Sequence, residues 1–280
     1  MMLQILHTRT RATPSRSRRS IRSGAAVICI IVAALATPPR AAATPLEDCA
    51  ETYRHHLIDD IGQALVGARN LRARIAADDL DGARQAWIDA RVGWERSEVF
   101  TAGFVPELDR EIDAWPNATH GFHGIEAGLF GASRADVGRQ TDVLIAHLAD
   151  LRTQIRDIRL APQRLLNGIA RLAFEVGDSK ADGGESRLSG TSLNDMQSNA
   201  EGIDLAYRVI FADAVEAGDP QLAAAVRATI ARLKAAVKSA DLRTLDLESL
   251  RADTEELVAL LQSAAPKIGL APPTLEETAQ

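Results

Sequence analysis

Only two cysteines, Cys29 and Cys49, occur in 280 residues, which excludes a disulfide framework and a four-cysteine zinc site. No stretch sustains period-two alternation, and β-branched residues are not enriched, so a sheet has no sequence to build on. The G-x-S-x-G elbow, the phosphate-binding P-loop and the dinucleotide fingerprint are all missing. Excess positive charge is missing too. Residues 1–43 hold seven arginines and no acid, and the rest of the chain carries 25 basic against 38 acidic side chains, a balance of −13. Such a body repels phosphate backbones and anionic lipid and gathers cations, so nucleic acid is excluded as a partner. With 46% apolar and 25% charged residues the chain is nonetheless an ordinary globular one, long enough for one or two packed cores.

The first 43 residues have the grammar of an export signal. Arginines precede the uncharged run Gly24 to Ala36, and Ala41-Ala42-Ala43 follows a Thr-Pro-Pro break. At 13 residues the run is short of the roughly 20 that a membrane-spanning helix needs, and no stable membrane anchor is expected. Cleavage is expected after Ala43. Ser17-Arg18-Arg19-Ser20-Ile21 partly resembles a twin-arginine signal, which leaves the Sec and twin-arginine routes both open. Cys29 lies inside the apolar run after Ile28, a poor context for lipid attachment.

From Leu46 onward apolar residues recur at three- and four-residue steps, the signature of helices throughout. Helices are expected over 46–77, 80–102, 119–132, 134–158 and 162–177. A further stripe runs through Leu193, Met196, Ala200, Ile203, Tyr207 and Ile210, opened by a capping box of Ser192 with Asp195. Gly218-Asp219-Pro220 starts the next helix, and a last one carries Leu247, Leu250, Leu257 and Leu261. The fold class is all-α, an up-and-down helical bundle architecture. Its expected divisions are a signal peptide (1–43), a helical domain (44–268) and a flexible C-terminal tail (269–280).

Seven of the eleven aromatic residues fall between Trp87 and Phe130, beside the polar residues of greatest interest. At 100° per residue, Arg91 and Glu98 lie near the tryptophan face of their helix, while Glu95 points roughly 100° away. Glu98 is therefore expected to face inward, either as a metal ligand or in an ion pair with Arg91. His123 and Glu126, three apart, share a helix face with Phe130. An imidazole and a carboxylate suit iron, zinc or copper, but a lone H-x-x-E also fits a satisfied core histidine. Asp109, Glu111 and Asp113 read as a solvated acidic loop. Asp178 to Gly183 is not a calcium loop, because Lys180 occupies a ligand position.

Four blocks in order resemble the imelysin-like superfamily, and within it the EfeO/EfeM-type periplasmic component of iron uptake. They are Ala90 to Glu98, Ile112 to Pro116, the G-x-H-x-x-E stretch Gly121 to Glu126, and Glu175 through Arg187 to Asp195 and Gly202. The resemblance implies two packed four-helix bundles and a metal site. Carried over residue by residue, that site comprises His123, Glu126, Glu98, Asp113 and Glu185, with Glu95 and Asp109 as alternates. It implies an exported, periplasmic protein that binds iron, with zinc or copper as other candidates, and that passes it to an inner-membrane iron permease. An imelysin-type metallopeptidase and a polysaccharide-binding module are the competing functions. No cupredoxin-like segment precedes the helices, as in the shorter EfeM-type arrangement.

The leader is directly testable. Mass spectrometry of the exported chain is expected to show an N-terminus at or close to Thr44, and retention of the Gly24 to Ala36 segment in a membrane fraction would contradict it.

Overall fold

The computed structural model describes residues 45–115, 119–132, 136–239 and 241–275. The expected leader, Pro116 and the last five residues of the tail lie outside them. Every regular element among the described residues is helical: α1 (Leu46–Ala76), α2 (Leu80–Phe104), α3 (Pro106–Ile112), α4 (Gly121–Phe130), α5 (Val137–Gln154), α6 (Pro162–Gly177), α7 (Ser192–Ala206), α8 (Ala212–Gly218), α9 (Pro220–Ala236) and α10 (Leu247–Ala264). The all-α expectation holds, and the periodicity located the long helices to within a few residues.

The chain turns where local chemistry stops a helix. Asp79 caps α2 by accepting from the Gly82 amide at 2.9 Å, Asp219 accepts from Leu222 ahead of α9, and Asp246 caps α10 through Ser249. Each cap satisfies an amide that the first helical turn leaves without a partner. The stripe expected to run unbroken to Ile210 is interrupted by a wide π turn, Tyr207–Phe211, before α8.

Helices α1, α2, α4 and α5 pack together, and α6, α7, α9 and α10 form a second group. Helix α2 belongs to both, because α6 and α7 also lie against it. Apolar side chains such as Leu57, Ile61, Trp87, Trp94, Leu166 and Ile203 are fully or almost fully buried, and each contributes about 1.5–3 kcal/mol through its removal from water. The second half of α2 is enclosed on nearly all sides: Ala90, Arg91, Gly93, Trp94, Glu95, Ser97 and Glu98 are all buried. A helix buried all round must pair any charge it carries.

Small residues set how closely the neighbours approach. A Cβ on Gly168 of α6 would run into the Val99 carbonyl of α2, and one on Gly202 of α7 into the Arg96 carbonyl. Beyond α10, Gln163 of α6 brackets Ala271 by accepting from its amide and donating to its carbonyl, and Asn167 donates to Thr274. Residues 271–274 of the expected tail are therefore tied to α6.

Gly202→Ala is expected to force α7 away from α2 and to cost about 1–3 kcal/mol, the usual penalty for overpacking. Urea denaturation measures this, and an unchanged midpoint would contradict the close approach.

Candidate metal centre

The H-x-x-E helix is fixed at its first residue. Gly121 has φ +58°, a backbone conformation that costs glycine little, and a Cβ there would strike the Ile112 carbonyl. The His123 amide donates to the Asp113 carbonyl at 3.2 Å. The Trp87 indole of α2 donates to the Phe122 carbonyl at 2.9 Å. About two α2 turns later, the Trp94 indole donates to Asp113 Oδ1 at 3.2 Å. The two tryptophans thus tie both α4 and the end of α3 to the central helix.

His123 is held from one side only. Its Nδ1 lies 3.1 Å from Glu126 Oε2, and the other Glu126 oxygen accepts from the Ser189 amide at 2.8 Å and hydroxyl at 2.7 Å. With its carboxylate engaged in this way, Glu126 sets the ring's orientation, and Nδ1 is the nitrogen placed to donate. The buried Nε2 makes no hydrogen bond. It points at Asp113 Oδ1, 3.5 Å away, and Glu185 Oε1, 3.8 Å away.

Those two carboxylates belong to a larger cage. Oxygen atoms of Glu95, Glu98, Asp113 and Glu185 all lie within 4.8 Å of one another, and donor atoms of Asp113, His123 and Glu185 meet the same limit. Two cations of the chain enter the cage. Arg91 pairs with Glu95, with Glu185 at 2.9 Å, with Asp195 at 3.2 Å and with Asp113 at 3.4 Å. Its guanidinium also lies over the Trp87 and Phe122 rings. Lys180 Nζ reaches Glu98 at 2.8 Å and Glu95 and Glu185 at 2.9 Å. Asn199 of α7 donates to Glu98 and Glu95 at 2.8 and 3.0 Å, and Ser186 donates to Asp195.

Five carboxylates therefore share two permanent cations, and the proton affinities follow. Burial pushes Glu98 well above the usual carboxylate range, and Glu95 adds to it. Burial likewise pushes Asp195 up to about 7, only partly offset by Arg91. Burial also opposes ionisation of Glu185, but Lys180, His123 and Arg91 outweigh it and hold that carboxylate low. For His123, burial disfavours the charged ring, yet Asp113, Glu126 and Glu185 prevail and push it up to about 9. An oxygen-rich cage with one imidazole suits a hard or borderline cation.

The cage opens onto a cavity of about 260 Å³ lined by Glu98, Asp109, Asp113, Trp115, Glu175 and Lys180, among others. Burial raises Asp109 to about 7, against its hydrogen bond with Thr101.

Of the residues singled out from sequence, the fold brings His123, Glu98, Asp113 and Glu185 together. Glu126 lies on the far side of the imidazole, and Asp109 lines the cavity outside the cage. Several expectations are corrected. Glu95 does not point away: it is fully buried in the cage, because α2 has neighbours on every side and a single inward arc does not describe it. Arg91 pairs with Glu95, Asp113, Glu185 and Asp195, while Glu98 takes Lys180 instead. The acidic stretch Asp109 to Asp113 is no solvated loop, since Pro106 starts α3 there. Ser192 and Asp195 form no capping box: the Ser192 hydroxyl accepts from the Ser186 amide and Asp195 turns to Arg91. Lys180, Asp195, Asn199 and Ser189 were not identified as site residues. Lys180 and Ser189 lie in the segment between α6 and α7, and Asp195 and Asn199 on α7, and composition does not show which of these polar side chains the fold turns inward.

Comparison with known proteins follows the same lines. The family model described as imelysin, peptidase family M75, matches residues 50–120 and 116–266. The iron uptake system component EfeO of Escherichia coli K12 is 30% identical over 161 residues, 54% of this chain and 42% of that protein. An EfeM/EfeO family lipoprotein of Staphylococcus haemolyticus is 28% identical over 193 residues, 65% of this chain and 67% of that protein. The chain thus spans about two fifths of the length of the EfeO relatives it matches. A crystal structure described as an iron-regulated protein A precursor from Parabacteroides distasonis shares the fold, with a TM-score of 0.60 at 17% identity over 82% of this chain and 98% of that one. The chain belongs to the imelysin family and is similar to its EfeO/EfeM-type members.

Proposed function

We propose that the chain is a periplasmic iron-binding component of an uptake system, which holds the ion at the cage and releases it to an inner-membrane permease. The observation that carries this is the buried, unbonded Nε2 of His123 aimed at Asp113 and Glu185. His123, Glu98, Asp113 and Glu185 would be the ligands, with Glu95 beside them. Glu126 would act through the ring it orients. The EfeO relatives, named for iron uptake, support the choice of metal, and the lipoprotein relative supports an envelope location. Among the described residues no helix is long and apolar enough to cross a membrane. In this reading residues 1–43 are removed on export and 44–268 form the binding domain.

A carrier suits this cage better than a hydrolase does. Peptide hydrolysis needs an open, water-bearing metal position and a general base, whereas here four carboxylates and one imidazole converge in an arrangement that would surround a cation.

His123→Ala and Glu126→Ala are each expected to weaken ferrous iron binding at least about tenfold, roughly 1.4 kcal/mol, with helicity by circular dichroism nearly unchanged. Equal affinity in both variants, measured by anaerobic equilibrium dialysis, would reduce the pair to a core feature.

The pH dependence has a definite sign. A ring held at about 9 is protonated at pH 7, and Nε2 can bind a metal only after losing that proton. Affinity is therefore expected to rise by about tenfold per pH unit from 6 to 8, and to fall as acid protonates the carboxylates. Affinity independent of pH over that interval would contradict a site built on His123.

A further inference from the structure

Lys180 is the basic residue least explained by iron binding. Only four of the chain's 32 basic residues are lysines: Lys180, Lys234, Lys238 and Lys267. Lys234 and Lys267 are partly or largely exposed and Lys238 is exposed, whereas Lys180 is 4% exposed. Its ammonium bonds three of the four carboxylates that converge in the cage, Glu95, Glu98 and Glu185. A small cation bound by these carboxylates would want the same oxygen lone pairs. Two positive charges crowded among the same oxygens repel strongly away from water, so the ammonium and a metal ion are not expected to share the cage.

The surroundings offer Lys180 somewhere to go. It sits in the segment between α6 and α7, outside any helix, and lines the cavity that Asp109 and Glu175 also line. Glu175 is partly exposed and already pairs with Arg171. Asp109 has Thr101 as a hydrogen-bond partner and Arg171 as a nearby positive charge. A lysine combines a compact charge with a flexible four-carbon stem, whereas arginine's planar fork would be locked by several carboxylates at once. Arg91 plays that locked part, paired with Glu95, Asp113, Glu185 and Asp195.

We infer that Lys180 is a tethered counter-ion that occupies the cation's seat, and that iron entry drives its ammonium, still protonated, out of the cage toward Asp109 and Glu175. This rests on the iron-binding reading, and it is supported independently of the acids by the buried Nε2 of His123 aimed into the same cage. The lysine would keep the buried carboxylates compensated without iron, and would return to help expel the ion at the point of release.

Two measurements on the purified chain test this. Lys180→Met removes the competing charge at nearly equal length, and by anaerobic equilibrium dialysis with ferrous ammonium sulfate it is expected to bind iron at least about tenfold more tightly than wild type. In wild type, acetic anhydride labelling read by peptide mass spectrometry is expected to be slow at Lys180 without iron and several-fold faster with saturating iron, while Lys234, Lys238 and Lys267 are unchanged. The labelling uses unaltered protein, so it decides the matter even if the variant misfolds. If wild type binds iron while Lys180 stays protected, or a folded Lys180→Met binds no more tightly, the inference fails and the iron site stands. If neither protein binds ferrous iron, the iron-binding reading fails and the inference falls with it.

Discussion

Buried negative charge governs this molecule. Glu95, Glu98, Asp113, Glu185 and Asp195 are brought together with Arg91 and Lys180 as the permanent cations that pair with their carboxylates. Unpaired carboxylates in such surroundings are costly. The chain's own groups answer with raised proton affinities at Glu98, Asp195 and His123, with the Asn199 amide, and with a lysine reaching in from a connecting segment. A bound cation would answer the same demand more completely, and it would compete with those protons and with that lysine.

The fold serves this arrangement by placing α2 at the junction of two helical groups. The α1 side supplies packing, α4 supplies His123, α7 supplies Asn199 and Asp195, and the segment from Asp178 to Thr191 supplies Lys180, Glu185 and Ser189. Glycines on α6 and α7 permit the short distances across which Asn199 reaches both the backbone and the carboxylate of Glu95. The two tryptophans of α2 spend their indole N–H groups on Phe122 and Asp113, so large apolar side chains also fix the polar geometry. Two of the proposed ligands, His123 and Glu98, are thereby carried on helices, which hold them more firmly than a loop would, while Asp113 and Glu185 lie on connecting segments.

Helical periodicity was enough to read the all-α fold, because a 3.6-residue pattern survives wherever a helix has one apolar face. It failed in the second half of α2, which is buried on nearly all sides, and so misdirected Glu95. It also failed at α3, where three acids in five residues concealed a short helix begun by Pro106. His123 and Glu98 were legible as inward polar groups from helical angles alone. Asp113 and Glu185 entered only through the family resemblance, since neither lies on an amphipathic helix. Lys180 and Asp195 were not legible as cage residues because their contacts with α2 join positions 82 to 104 residues apart, which no local pattern encodes.

The central claim is that the cation sits among His123, Asp113, Glu185 and Glu98. Anomalous diffraction at the iron edge from crystals grown with ferrous iron measures this directly. The account predicts one strong peak within bonding distance of His123 Nε2 and of oxygens from that carboxylate set. A peak elsewhere on the chain, or none near a His123 whose Nε2 bonds a protein group, would contradict it.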